Sequence, residues 1–160
     1  MQKMTILCTG KLKEKFYLDA VAEYVKRLSR FCKLEIIELP EERLPEDPSP
    51  AQIEAALSKE ADAVRAKLPN GCLVIAMCVE GRERSSEELA RYLADSAAQG
   101  ASHIVFLIGS SFGMHESLKR QAALRLSMSP MTFPHHLLRV MLLEQIYRAC
   151  QIAAGTKYHK

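Results

Sequence analysis

Polar side chains that could take part in proton transfer are concentrated near the C-terminus. His135 follows Pro134, Arg139 lies one helical turn later, and Tyr158 and His159 stand close to the last residue. An imidazole or a phenol can exchange a proton with a substrate, and a guanidinium can stabilise charge that develops on a carbonyl oxygen. These four side chains are therefore candidates for activating a nucleophile by deprotonation.

Each candidate also has a structural interpretation that the sequence leaves open. Arg139 could pair with Glu144 or with a carbonyl group at a helix end, and His135 could cap the last helix. The tail from Tyr158 to Lys160 could be disordered, as terminal residues usually are.

Other catalytic classes find little support in the sequence. No cluster of His, Cys, Asp and Glu has the spacing of a metal site, and no GxSxG motif is present. The five cysteines form no CxxC pair, so we interpret them as reduced core residues. A catalytic cysteine with a histidine partner stays open, and His103 and His115 are interpreted as structural. Hydrolase and metalloenzyme activities are disfavoured, and we expect no bound metal.

Flexible loops follow three predicted strands in the second half of the chain. They are Glu80-Gly81, Gly109 to Gly113, and Ser129 to Pro134. Ligands of open α/β sheets bind beyond the carboxyl ends of the strands, so these loops form the default binding site. A dinucleotide-binding fold would instead place its glycine-rich loop after the first strand, where Thr9-Gly10-Lys11 offers one glycine.

The elements that must position these loops alternate between strand and helix patterns. Apolar or alternating runs predict strands at 4–9, 34–39, 72–79, 104–108 and 124–128, and helical spacing predicts helices at 14–29, 51–67, after residue 85, after residue 113 and at 136–154. Gly81 should end the third strand. With 48% hydrophobic residues and no low-complexity linker, the chain is expected to form a single doubly wound α/β domain over residues 1–160.

Turn and capping signals separate several of these elements. Four prolines between residues 40 and 50 predict an irregular acidic loop. Ser85 and Glu88 match a capping box, and Gly100 should terminate the helix that they begin. Helical spacing places Leu89, Leu93 and Ala97 on the inner side of that helix.

The last predicted helix has almost no polar face. Its apolar residues are Leu137, Leu138, Val140, Met141, Leu142, Leu143, Ile146, Tyr147 and Ile152. A helix that is apolar on all sides is buried, and in so small a domain this suggests a partner subunit or a chain segment wrapped around the helix. We therefore expect a homodimer.

Charge is distributed unevenly along the chain. Residues 1–33 carry a net charge of +5, residues 34–109 a net charge of −7, and residues 110–160 a net charge of +5. If the basic ends meet, in one subunit or across a dimer, they form a patch that attracts phosphates. Ordinary solvated lysines are the alternative interpretation.

No segment of the sequence predicts membrane insertion or export. The longest apolar run, Cys72 to Val79, is far shorter than the roughly 18 to 20 residues that span a bilayer. The first fifteen residues lack the apolar core and cleavage site of a signal peptide. We expect a cytoplasmic protein without membrane contact.

The most specific motifs lie in the C-terminal half. They are Ile108-Gly109-Ser110-Ser111-Phe112-Gly113, the stretch from Leu126 to His135, Arg139-Val140, Glu144 to Ala149, and Lys157-Tyr158-His159-Lys160, with Gly10 to Lys15 near the N-terminus. Together they resemble the ribosomal RNA large subunit methyltransferase H family, small SPOUT enzymes that methylate N3 of a pseudouridine. The resemblance covers essentially the whole chain.

This resemblance implies a SPOUT fold, with a parallel sheet, helices on both faces and a deep trefoil knot in the C-terminal half. It also implies a homodimer, a substrate in large-subunit ribosomal RNA on the assembled ribosome, and a C-terminal tail involved in target recognition. S-adenosyl-L-methionine (SAM) would be contacted mainly through backbone groups, with Met77 and Met131 covering the adenine. The implied cofactor residues are Met77, Gly109, Met128, Ser129, Pro130, Met131, Thr132 and Phe133.

Some implications of the resemblance have alternatives. The methionines and Phe133 could simply be core residues. Ser110 stands where the family usually has a second glycine, so the cofactor contact there is open. An RNA-binding module that kept the fold but lost methyl transfer is the second interpretation of the chain, and it would not need to bind SAM. A nucleotide-binding regulatory protein is disfavoured because no phosphate-binding glycine loop is found.

Overall fold

A computed structural model describes residues 1–160 and contains five strands and five helices. The strands are β1 (Lys3–Thr9), β2 (Lys33–Leu39), β3 (Leu73–Glu83), β4 (His103–Ile108) and β5 (Leu124–Ser127). The helices are α1 (Lys15–Leu28), α2 (Pro50–Lys67), α3 (Ser86–Ala98), α4 (Glu116–Gln121) and α5 (His135–Ala153). The predicted number and order of elements are confirmed, with most boundaries within two residues.

All five strands are parallel and pair in the order β2-β1-β4-β3-β5. One face of the sheet packs against α1, α3 and α5, and the other packs against α2 and α4. Because both faces are covered, the central strands are continuous apolar runs rather than alternating ones. From Ile104 to Ile108, every residue of β4 is buried. The predicted α/β layer fold is confirmed.

The prediction that Gly81 ends the third strand is wrong. β3 continues to Glu83, and Leu126 of β5 pairs with both Met77 and Arg82, so residues 78–81 bulge out of the ladder. A Cβ atom on Gly81 would lie 2.8 Å from the carbonyl carbon of Arg125. Glycine is therefore needed here for close approach of β5, and the bulge displaces four residues toward the end of the sheet.

The predicted capping box at the start of α3 is confirmed. The backbone N–H of Glu88 donates to Ser85 Oγ at 3.1 Å, and the Glu88 carboxylate accepts from the N–H of Ser85 at 2.6 Å. The inner side of α3 differs by one position from the expectation, since Ser96 is buried and Ala97 is exposed. Residues 40–48 are irregular, as the prolines predicted.

Helix α5 crosses one face of the sheet between α1 and α3. Its buried residues include Leu142, Leu143 and Ile146, and no residue from 135 to 152 falls in the exposed class. Leu137, Val140 and Met141 keep part of their surface accessible in the single chain. No helix of the protein is both long and apolar enough to cross a bilayer.

Candidate active site

A cavity of about 780 Å³ opens at the carboxyl edge of β4, β3 and β5. Its volume lies in the range of small-molecule sites. The β3 bulge, the loop after β4 and the loop after β5 form its walls, so the three loops that the sequence grouped together do meet. The implied cofactor residues on the wall are Met77, Gly109, Met128, Ser129, Met131, Thr132 and Phe133, and Pro130 lies outside it.

The loop after β4 is tightly closed by its own backbone. Ser110 and Gly113 exchange two backbone hydrogen bonds, at 3.0 and 2.9 Å. A Cβ atom on Gly109 would lie 2.3 Å from the carbonyl oxygen of Gly113. The structure therefore requires glycine at 109 for the shape of the loop.

The two methionines expected to cover an adenine differ in exposure. Met77 is 5% exposed and ends inside the core, whereas Met131 is 72% exposed at the mouth of the cavity. Ser129 orients this part of the wall, because its Oγ accepts from the N–H of Met131 at 3.0 Å and its carbonyl accepts from Ser127 Oγ at the same distance. The core interpretation is therefore wrong for Met131, whereas Met77 belongs to the core and also lines the cavity.

His135 lies on the cavity wall as the first residue of α5. The N-cap position is occupied by Pro134, and His135 lies inside the helix, so the capping interpretation is wrong. Burial, and then the neighbouring His136, lower the pKa of His135 below its ordinary value of 6.5. The imidazole is therefore neutral at pH 7 and keeps a nitrogen lone pair that can accept a proton.

Arg139 is placed behind the cavity rather than on its wall. Its side chain is 2% exposed, and its guanidinium donates to Glu38 Oε2 at 2.7 Å and to the carbonyl oxygen of Gly10 at 3.2 Å. Its Nε has no partner. The suggested pairing of Arg139 with Glu144 is wrong, because Glu38, 101 residues earlier in the chain, takes that place.

The pair formed by Arg139 and Glu38 fixes the segment after β1. Glu38 Oε2 also accepts from the backbone N–H of Leu12 at 2.9 Å. Partial burial acts to raise the pKa of Glu38, but the hydrogen bonds from Arg139 and Leu12 lower it below 4.5 overall. His136 Nδ1 lies 3.6 Å from Glu14. The basic segment at residues 11–15 is thereby held against the start of α5.

The C-terminal tail is docked, so the suggestion that it is disordered is wrong. The hydroxyl of Tyr158 donates to Glu144 Oε2 at 3.0 Å, and Arg148 donates to the same carboxylate at 2.6 Å. His159 Nε2 lies 2.7 Å from Glu87 of α3. Neither Tyr158 nor His159 lies on the cavity wall. One chain therefore brings His135 to the cavity wall and leaves the other three candidates, Arg139, Tyr158 and His159, off it.

A comparison with known protein families identifies the chain. A profile described as "Predicted SPOUT methyltransferase" matches residues 2–159. Proteins named "Ribosomal RNA large subunit methyltransferase H" are 46% identical over 158 residues in Streptococcus uberis and 45% identical over 158 residues in Bifidobacterium adolescentis, each match covering 99% of both chains. The chain belongs to the ribosomal RNA large subunit methyltransferase H family of SPOUT methyltransferases.

A solved structure agrees with this family at the level of the fold. A probable methylase family protein from Haemophilus influenzae superimposes with a TM-score of 0.53 and 13% sequence identity. The match covers 99% of this chain and 70% of that one. At this identity the likeness bears on the fold alone.

The sequence missed an ion pair on the cavity wall of this SPOUT methyltransferase. Lys119 of α4 donates to Glu80 in the β3 bulge, and both residues line the cavity. The hydrogen bond from Lys119 lowers the pKa of Glu80. Nothing in the sequence pointed to this pair, because its formation depends on the bulge that carries Glu80 out of the strand.

The five thiols of this SPOUT methyltransferase are poor nucleophiles. Burial raises the pKa of Cys8 and Cys150 to about 12 and that of Cys32 to about 11. Burial also raises the pKa of Cys72 and Cys78. All five thiols are free; Cys8 and Cys32 are buried in the core as expected, whereas Cys72, Cys78 and Cys150 are only partly buried and Cys78 lines the cavity. No group of three potential metal ligands is present.

Proposed function

We propose that this protein transfers a methyl group from SAM to N3 of a pseudouridine in large-subunit ribosomal RNA, on the assembled ribosome. The observation that carries the proposal is the cavity walled by Met77, Gly109 and Met128 to Phe133, in a chain 46% identical over its length to a named ribosomal RNA methyltransferase. The pseudouridine and its N3 atom rest on the family resemblance. A ribosomal substrate also makes the cytoplasm its place of action.

The residues of the cavity suit SAM in size and chemistry. Met77, Met128 and Phe133 offer an apolar surface to an adenine, and the exposed side chain of Met131 can close over it. Backbone groups of Gly109 and of the loop after β5 are available to hydrogen-bond the polar edge of the adenine. When bound, SAM supplies a methyl group on a sulfonium whose leaving group is neutral, so the transfer needs alignment and no metal.

His135 is the best-placed group for activating the nucleophile. N3 of a pseudouridine carries a proton between two carbonyl groups, and this proton must leave before the nitrogen attacks a methyl carbon. The neutral imidazole of His135 lies on the wall and can accept it. Arg139 supports this arrangement as a positioning residue, since it holds Gly10, whose Cα faces the His135 ring.

A homodimer would complete the site by bringing the partner's tail to the cavity. Two features support this proposal. The tail candidates Tyr158 and His159 lie away from the cavity of their own chain. Apolar side chains also remain accessible on α1 and α5, among them Leu18, Val25 and Met141. Burying them against a second copy removes apolar surface from water.

We further propose that the segment from β5 through α5 is threaded as a deep trefoil knot. Support comes from the family and from the path of the chain. After β5 at the sheet edge, residues 128–134 pass beside the loops that follow β3 and β4, and α5 then packs between α1 and α3. Knots are otherwise nearly absent from proteins. In this protein, threading would enclose the cofactor between three loops of one chain.

Phosphate contacts of the RNA are assigned to the basic segment after β1. Lys11, Lys13 and Lys15 are exposed, and the segment is held beside the start of α5 by Glu38 and Glu14. Lysines in such a cluster bind the RNA backbone and give a salt-dependent affinity. Shape recognition of the ribosome would supply the specificity that one small domain lacks.

The experiment that tests this function is methyl transfer from radiolabelled SAM to ribosomes of a strain in which the gene for this protein is deleted. Label in large-subunit RNA is the expected result. The competing function is an RNA-binding module that has lost transfer, and it predicts ribosome binding without SAM binding. Equilibrium dialysis with SAM alone separates the two, because absence of SAM binding contradicts the enzyme proposal.

A further inference from the structure

Two carboxylates that do not line the cavity hold the loop after β4. The hydroxyl of Ser110 donates to Glu60 Oε1 at 2.9 Å. The hydroxyl and the backbone N–H of Ser111 donate to Glu41 Oε1, at 2.6 and 3.1 Å. Neither glutamate lies on the cavity wall, although the loop from Gly109 to Gly113 does. The loop is therefore tied to α2 and to the irregular segment after β2.

Glu60 is the more constrained of the two carboxylates. It is 7% exposed, and its second oxygen accepts from the backbone N–H of Glu42 at 2.9 Å. Burial raises the pKa of Glu60, against the effect of these two hydrogen bonds. A buried carboxyl with a donor on each oxygen has a fixed orientation, so it can fix the group that it binds.

Ser110 adopts a backbone conformation that an L-residue tolerates. No residue other than glycine has a positive φ in this protein, so the serine imposes no strain on the loop. Its side chain adds a contact, because the hydroxyl donates to Glu60. Ser110 therefore gives the loop an attachment to α2.

We propose that Glu60 is a positioning residue of the cofactor site: through Ser110 it holds the loop from Gly109 to Gly113 in the shape that presents its backbone to SAM. The proposal rests on the function proposed above. A loop that is already ordered loses less conformational entropy when a ligand binds. Removing the hydrogen bond should therefore weaken SAM binding about five- to tenfold and leave the rate at saturating SAM nearly unchanged.

The test compares the full-length protein with three variants, Glu60→Gln, Ser110→Ala and the double variant. SAM affinity is measured by isothermal titration calorimetry, and hydrogen exchange of the peptide spanning residues 109–113 is measured without ligand. Asp62→Asn is the matched control, since Asp62 is an exposed carboxylate of α2 that pairs with Arg65 and does not touch the loop. Melting temperatures establish that each variant is folded.

Each single variant should weaken SAM binding and speed hydrogen exchange in the loop. The double variant should bind SAM no more weakly than the single variant with the larger loss of affinity. Wild-type affinity and exchange in both single variants, or additive losses, would overturn the proposal. If Glu60→Gln does not fold, Ser110→Ala tests the same hydrogen bond from its other end. Failure of the wild-type protein to bind SAM would refute the proposed function instead. The exchange data would still show whether the hydrogen bond between Ser110 and Glu60 orders the loop.

Discussion

The buried guanidinium of Arg139 of α5 forms an ion pair with the partly exposed carboxylate of Glu38 of β2, with Nη1 and Oε2 2.7 Å apart. The same guanidinium binds the carbonyl oxygen of Gly10, and a Cβ atom on Gly10 would lie 3.3 Å from Nε2 of His135. Arg139 therefore holds the backbone of Gly10, which lies against the ring of His135. This arrangement separates the effects of the two residues on stability and on turnover.

Replacing Arg139 with methionine should destabilise the protein by about 2 kcal/mol, because it removes two hydrogen bonds of a buried guanidinium and leaves the Gly10 carbonyl without this donor, whereas Glu38 keeps the N–H of Leu12 and contact with water. Urea denaturation measures the loss. Lys15→Met is the control, since Lys15 pairs with Asp19 on the exposed side of α1 and its removal should have no measurable effect. Equal stability of the Arg139→Met variant and the wild type would contradict the structural part assigned to this arginine.

The same pair predicts a pH dependence of stability. The pKa of Glu38 lies below its ordinary value of 4.5 in the folded protein, so the folded state binds this proton less readily than the unfolded state does. Its contribution is fully present above pH 4.5 and is lost as the pH falls through the lower, folded value. Urea midpoints measured between pH 7 and pH 3 should fall less steeply in Arg139→Met. Parallel curves would rule out the coupling.

Turnover should depend on His135 in a way that cofactor binding does not. His135→Gln should lower kcat about a hundredfold, the usual size of a general-base contribution, and change SAM affinity little. The acid limb of the wild-type kcat profile should lie below pH 6.5, because burial and His136 lower the pKa of His135. Rates measured from pH 5 to pH 9 check this, and an unchanged profile in His135→Gln would exclude this residue as the base.

Met131 should contribute to SAM affinity without contributing to stability. Its side chain is exposed in the protein alone, so covering it with a ligand is worth about 1 kcal/mol, or about fivefold in Kd. Met131→Ala should show that loss in calorimetry, and Met131→Leu should retain most of the affinity because it keeps the apolar area. Identical affinity of all three proteins would mean that Met131 does not close over the cofactor.

Mixed dimers test whether the tail acts across the subunit interface. Gly109→Ala forces the loop after β4 apart and should abolish SAM binding, whereas deletion of residues 157–160 should abolish transfer and preserve SAM binding. Neither homodimer should be active. Co-expression of the two chains should restore about one quarter of wild-type activity, since half of randomly assembled dimers contain one complete site. No recovery in purified mixed dimers would place the tail and the cavity of each site in the same chain.

Sequence patterns predicted the fold well wherever the signal was local. The apolar run before Gly109 and the capping box at Ser85 each depend on a few neighbouring residues, and both were confirmed. The prediction that Gly81 ends the third strand was wrong, because the role of this glycine depends on the register of β5, which lies over 40 residues later in the chain. Alternation and turn residues carry no information about such a register.

The candidate site shows the same division between local and distant effects. The three loops were predictable, because parallel strands bring their carboxyl ends to one edge. The partners of Arg139 and Ser110 were not, since Glu38 and Glu60 lie 101 and 50 residues away along the chain. The docking of Tyr158 against Glu144 was not predicted, because the sequence left open whether the tail from Tyr158 to Lys160 is ordered.

The most direct test of the proposed reaction locates the transferred methyl group. Ribosomes from a strain that lacks this protein are methylated in vitro with SAM, and nuclease fragments of the large-subunit RNA are analysed by mass spectrometry and by fragmentation of the modified nucleoside. The account predicts one added methyl group at N3 of a single pseudouridine, and no product when ribosomes carry uridine at that position. A methyl group on another atom or another base, or equal transfer to the uridine-containing ribosomes, would contradict it.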